Sequence, residues 1–180
     1  KRRHKLILDG SNLTTPKKLD KHVLSFCRSL SNQAPVFLDV QPELWCRQSN
    51  CEMNVDKYIE ENGGNKVIGY KIWYTRNKYI EAERHVVYQN VDGSLIDLTF
   101  NTDGEETVLF LADDLNGYTY DDRPLKERKG LTVKARHLVD AMDLQDQTIQ
   151  QMSPEESWES MPTYEQWLNG VRSPNLLPKF

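Results

Sequence analysis

Three residues of complementary chemistry follow one another in this chain: Cys51, His85 and Asp97. A thiol attacks carbonyl carbon only as its thiolate. The first turn of a helix favours that form through unpaired N–H groups and the positive end of the dipole. Cys51 stands at such a point. The polar approach Gln48-Ser49-Asn50 precedes it, and Met53, Val55, Tyr58 and Ile59 follow until Gly63-Gly64 ends the pattern. A thiolate also needs an imidazole to accept and return a proton, and a third group to orient that imidazole. His85 lies centrally in the strand-like run 79–89, and Asp97 lies in the next run.

The hairpin between these runs decides whether His85 and Asp97 can meet. A two-residue loop at Asp92-Gly93 would set His85 opposite Phe100 and place the pair on opposite faces. A three-residue loop, Val91-Asp92-Gly93, pairs Asn90 with Ser94 and sets Val87 opposite Asp97. His85 and Asp97 then become diagonal neighbours on one face. That loop is a type I turn followed by a left-handed residue, which Gly93 supplies. The face carrying Glu81, Glu83, His85, Asp97 and Thr99 is polar. The other face, with Ala82, Val86, Tyr88, Ile96, Leu98 and Phe100, is core-facing.

The elements that must position these residues read as an α+β domain. Apolar residues at helical spacing run over 16–31, with Thr14 or Thr15 as cap, and a short strand follows over 35–40. After the Cys51 helix, a β-meander runs through strands 66–73, 79–89, 94–100 and 107–111, separated by turn residues. A polar loop extends beyond Asp113 to Gly130. Residues 131–151 are helical by pattern, and 154–168 form a last helix opened by Ser153-Pro154-Glu155-Glu156. Trp158 and Trp167 dock that helix to the sheet. The chain reads as a single domain over 1–180, with a catalytic-like core at about 48–113.

Cys at a helix start, then His-Val-Val-Tyr (85–88), then Gly-Ser-Leu-Ile-Asp-Leu-Thr (93–99), resembles the core of the transglutaminase-like and papain-like cysteine hydrolases. The likeness covers about Asn50 to Phe100. It implies Cys51 as nucleophile, His85 as general base and acid, and Asp97 as orienting carboxylate. It further implies an antiparallel sheet flanked by helices, and an amidase, deamidase, peptidase or transglutaminase-like activity on a protein, peptide or other amide substrate. No cofactor is called for. The papain-type Gln-x-Gly-x-Cys-Gly-Ser-Cys-Trp run is absent, and Trp45 stands six residues before Cys51. The oxyanion donor is therefore read as a backbone N–H at residue 51 or 52, aided by the side chain of Gln48 or Asn50.

Other readings compete. Cys27 falls on the apolar stripe of the first helix, and Cys46 is a rival nucleophile in an irregular segment. Glu81, Glu83 and His85 alternate on one face and could hold a divalent metal. Asp113-Asp114-Leu115-Asn116-Gly117 has a calcium-loop flavour but lacks the later glutamate, and reads as a solvated turn. The same fold without chemistry could serve as a protein-binding or inhibitor module, with Tyr118 and Tyr120 in its acidic loop.

Composition narrows the setting. The 180 residues carry a net charge of −4 and offer no basic field for nucleic acid. No apolar run approaches the ~18 residues of a membrane span. The basic start Lys1-Arg2-Arg3-His4 leads into an apolar stretch too short for a signal peptide. Three cysteines cannot all pair, which favours a reducing, cytoplasmic setting.

Overall fold

The computed structural model describes residues 13–114 and 123–173. The basic start, Leu115–Gly117 of the acidic loop, Tyr118 and Tyr120 lie outside the described residues. The chain is mixed α+β. A six-stranded antiparallel sheet comprises β1 (Val36–Asp39), β2 (Asn65–Thr75), β3 (Tyr79–Gln89), β4 (Leu95–Ile96), β5 (Thr107–Ala112) and β6 (Lys126–Gly130). Its helices are α1 (Lys21–Leu30), α2 (Cys51–Asn62), α3 (Val133–Asp146), α4 (Pro154–Ser160) and α5 (Tyr164–Leu168).

The strand order is β1-β5-β2-β3-β4, with β6 beside the first half of β3. Only β2, β3 and β4 form the expected meander. β5 crosses back to the far side of β2, where Gly69 admits the Leu111 carbonyl so closely that a Cβ would lie 2.2 Å from its oxygen. The sheet then curls until its edges meet. Asp97 N–H donates to the Asp39 carbonyl at 3.0 Å, and Gln41 N–H donates to the Asp97 carbonyl at 2.8 Å. These bonds explain why β4 leaves β3 after Ile96 instead of running on to Phe100 as expected.

Three apolar clusters hold the curl. Val23, Phe26 and Cys27 of α1 pack on Tyr70, Ile72, Ile80 and Ala82. Val55 of α2 packs with Val86, Tyr88 and Leu98, and Leu38, Val87, Val108 and Phe110 fill the inner face. The alternation along β3 follows from strand geometry, and both of its faces are buried. The polar face anticipated from the sequence is thus interior.

Several boundaries differ from expectation. α1 starts at Lys21 because the Asp20 carboxylate accepts from the N–H groups of His22 and Val23, at 2.9 and 3.0 Å. An aspartate cap of this kind displaces Thr14 and Thr15. The run read as loop up to Gly130 contains β6, whose charged sequence KERKG hid a strand. The last helix is two, because Pro162 interrupts it. Ser153 and Thr163 each build a capping box, with Glu156 and Gln166.

Candidate active site

α2 begins at Cys51 and stops at Gly63, as its sequence indicates. The Asn50 side chain makes no cap, so the first N–H groups of the helix lack the side-chain acceptor such a position usually holds. Asn54, fully buried in the first turn, fixes the mouth. Its Oδ1 accepts from Arg47 N–H at 2.8 Å, while its Nδ2 donates to the Arg47 carbonyl at 2.9 Å and to Thr99 Oγ1 at 3.0 Å. One amide thereby ties the approach loop, the helix and the segment after Asp97 together. Nothing in the sequence pattern distinguished Asn54 from a solvated helix residue.

The hairpin carries the other two groups. Asn90 N–H donates to the Ser94 carbonyl at 2.8 Å, and Gly93 takes a φ of 87°. The β3–β4 register pairs Tyr88 with Ile96 and Gln89 with Leu95, which is the three-residue loop. Val87 accordingly faces Asp97, and His85 Nε2 lies 3.0 Å from Asp97 Oδ1. The contact pairs the ring nitrogen with a carboxylate oxygen outside strict hydrogen-bond geometry. Asp97 is 0% exposed, and its Oδ1 also accepts from Thr99 N–H at 2.9 Å.

Burial opposes the imidazolium, but the Asp97 carboxylate and the nearby Cys51 outweigh it and carry His85 up to about 9. Burial pushes the Asp97 carboxyl upward too; the charges of His85 and Lys71 and the Thr99 N–H prevail and hold it below its ordinary value. Cys51 packs with Cys46, Val55, Val86 and Leu98 and is 7% exposed. It approaches from the helix side of the sheet, whereas His85 issues from the inner face. No hydrogen bond joins sulfur and ring among the described residues. Burial pushes the Cys27 thiol up to about 11 and the Cys46 thiol up to about 12, which leaves both poor nucleophiles at neutral pH.

Lys71 was not singled out by the sequence reading. It is buried on β2, its Nζ donates to Asn101 Oδ1 at 2.8 Å, and it stands 3.6 Å from Asp97 Oδ2. The signal was present: it is the one charge amid Val67-Ile68-Gly69-Tyr70 and Ile72-Trp73. The β2–β3 register sets Gly69 opposite His85, so Lys71 shares the imidazole's face.

The side-chain donors expected for an oxyanion are engaged elsewhere. Gln48 Nε2 donates to Ser173 Oγ at 3.1 Å, and Asn50 Nδ2 donates to the Gln48 carbonyl at 2.7 Å. The C-terminal segment walls this mouth. Tyr164 N–H donates to the Cys46 carbonyl, and Gln48 N–H to that of Pro162, at 2.8 and 3.1 Å. Trp158 lies under the Arg47 guanidinium, and Trp167 packs against Phe100.

The alternating Glu81, Glu83 and His85 do not converge. Arg128 Nε donates to Glu81 at 2.6 Å, and Trp73 Nε1 donates to Glu83 at 2.9 Å. Among the described residues no cluster of three or more His, Cys, Asp or Glu could hold a metal, and no helix is long and apolar enough to cross a membrane. Set against protein-family models, curated proteins and solved structures, the chain matches none of them.

Proposed function

We propose that this protein is a cysteine-dependent hydrolase or acyl transferase acting on an amide or isopeptide bond, on a core of transglutaminase-like or papain-like kind. The observation that carries the reading is the buried 3.0 Å pairing of His85 Nε2 with Asp97 Oδ1, with Cys51 at an uncapped helix start and near enough for its charge to act on the ring. With Nε2 turned to Asp97, Nδ1 of His85 is the nitrogen left to serve the thiol. Cys51 Sγ attacks the carbonyl carbon, and His85, having taken the thiol proton, passes it to the leaving amine. Water or a second amine then resolves the thioester. Backbone N–H groups at Cys51 and Glu52 are the donors for the oxyanion, since the Gln48 and Asn50 amides are engaged.

The first test is iodoacetamide labelling at pH 6 followed by peptide mapping. Cys51 reacts ahead of Cys27 and Cys46; equal, slow labelling of all three would sink the proposal. The second is release of amine or ammonia from peptide, glutamine-amide and isopeptide substrates. Cys51→Ala abolishes turnover in a folded protein, whereas full activity in that variant overturns the assignment.

A second reading, a non-catalytic binding module, draws on one observation: the segment from Ser157 to Ser173 closes over the approach to Cys51. It requires an inert Cys51 and a partner that co-purifies.

A further inference from the structure

We infer that Lys71 is a positioning residue of this site: a buried ammonium that holds Asp97 from the side opposite the imidazole and keeps the buried cluster electrically neutral while the proton moves. The inference rests on the thiol chemistry proposed above and extends it to a residue outside the triad.

The geometry comes first. Asp97 is fully buried and presents its two oxygens to two different cations. Oδ1 faces His85 Nε2 at 3.0 Å, and Oδ2 faces Lys71 Nζ at 3.6 Å without a hydrogen bond. Lys71 is itself anchored, by donation to Asn101 Oδ1 at 2.8 Å and by the Trp73 ring 5.4 Å from its nitrogen. The carboxylate thus cannot turn toward Lys71 without leaving His85, nor move away from it. The neighbouring acid, Glu83, stands opposite Lys71 across the ladder; Trp73 Nε1 donates to it, and the charges of Lys126 and Lys71 both act on it.

The charge count then gives the consequence. Asp97 and Lys71 cancel, and Glu83 is set against Lys126, so the site is neutral both as thiol with imidazole and as thiolate with imidazolium. When the proton passes from Cys51 to His85, one negative and one positive charge are added, and the sum stays zero. Without Lys71 both states would carry a net negative charge in a site that excludes water, where uncompensated charge is costly. The imidazolium would be the only cation facing Asp97 and would hold its proton more tightly. A tightly held proton is a poor gift to a leaving amine. Lys71 repels the imidazolium and shares the carboxylate, so the proton remains transferable.

The test follows the His85 ring through a pH titration by NMR, in parallel with the pH profile of Cys51 alkylation. In Lys71→Met the His85 midpoint rises by about one pH unit or more, because the cation on the far oxygen of Asp97 no longer opposes the imidazolium. Lys71→Arg, which keeps the charge, stays close to the parent protein. Asn101→Ala, which frees the ammonium without removing it, gives a smaller rise in the same direction. A folded Lys71→Met with an unmoved midpoint overturns the inference, as does Lys71→Arg moving the midpoint as far as Lys71→Met. If Lys71→Met does not fold, Lys71→Gln, which can still donate to Asn101, is judged by the same criterion. The titration needs no turnover, so a Cys51→Ala variant that keeps full activity would overturn the proposed chemistry and leave the Lys71 result legible.

Discussion

Two buried charge clusters share the inner face of β3, and they are built differently. At the Glu81 end, Arg128 spends its donors on Glu81, Asp143 and Asp146, and Lys126 stands 3.5 Å from the same glutamate. Neither Glu81 nor Arg128 is left with a buried polar atom lacking a partner. At the His85 end, four residues on, His85 Nε2, Asp97 Oδ2 and Asn101 Nδ2 are buried without hydrogen bonds. A saturated network locks secondary structure together, here β3, β6 and α3. An incompletely satisfied one keeps bonding capacity in reserve and calls for a reason beyond stability.

The largest effect is expected where saturation is broken. Arg128→Met leaves Glu81 with only the part-exposed Lys126, 3.5 Å away, and costs about 3 kcal/mol, the low end for a broken buried pair, read from urea denaturation. Asp143 and Asp146 are 46% and 42% exposed and regain water, so little of that loss is theirs. A loss below about 1 kcal/mol would mean that the cluster is no lock. His85→Ala sharpens the other side. Alkylation of Cys51 at pH 6 slows by about 100-fold or more, the lower end of what a positioned proton acceptor supplies. Stability falls less than in Arg128→Met, because Asp97 keeps Lys71.

The two clusters also part company with pH. The folded value of His85 is raised, from 6.5 to about 9, so its contribution is complete below about pH 6.5 and lost as pH rises through 9. Asp97 is shifted down, so its contribution is present above its ordinary value of 3.8 and lost as pH falls through the depressed folded one. Together they give a plateau between about pH 4 and 6.5 with a decline toward pH 9. Arg128 is shifted further up from an already high value and stays charged throughout that range. Denaturation at pH 6, 7.5 and 9 should show the decline in the parent protein and in Arg128→Met. A His85→Ala variant that declines just as steeply would remove His85 as its cause.

The sequence disclosed these clusters unequally, for physical reasons. The hairpin register was legible because loop length, the left-handed glycine at Gly93 and the parity of strand faces constrain one another locally. The start of α2 was legible from its polar approach and its Gly63 stop. What depended on distant pairing was not. β6 looked like loop because its strand character comes from Arg128 meeting Glu81 across the ladder, not from apolar alternation. The crossing of β5 and the curl that joins Asp97 to Asp39 are tertiary choices with no local signature. Lys71 and Asn54 escaped notice because a lone polar residue in an apolar run announces burial only once its partners are known.

The smallest predicted effect asks whether the two clusters are independent. Thr132 caps α3, accepting from Ala135 N–H at 3.1 Å, and α3 carries the outer carboxylates of the saturated cluster. Thr132→Ala therefore costs about 1 kcal/mol. The loss falls on the Arg128 side of β3, and the α3–β6 unit touches neither Cys51 nor Asp97. Cys51 alkylation should then keep its parent rate and pH profile in Thr132→Ala. The stability losses of Thr132→Ala and His85→Ala should add to within about 0.5 kcal/mol in the double variant, as for sites with no shared partner. A larger coupling would mean that β3 transmits strain between its two ends, and that the lock and the site are one cooperative unit.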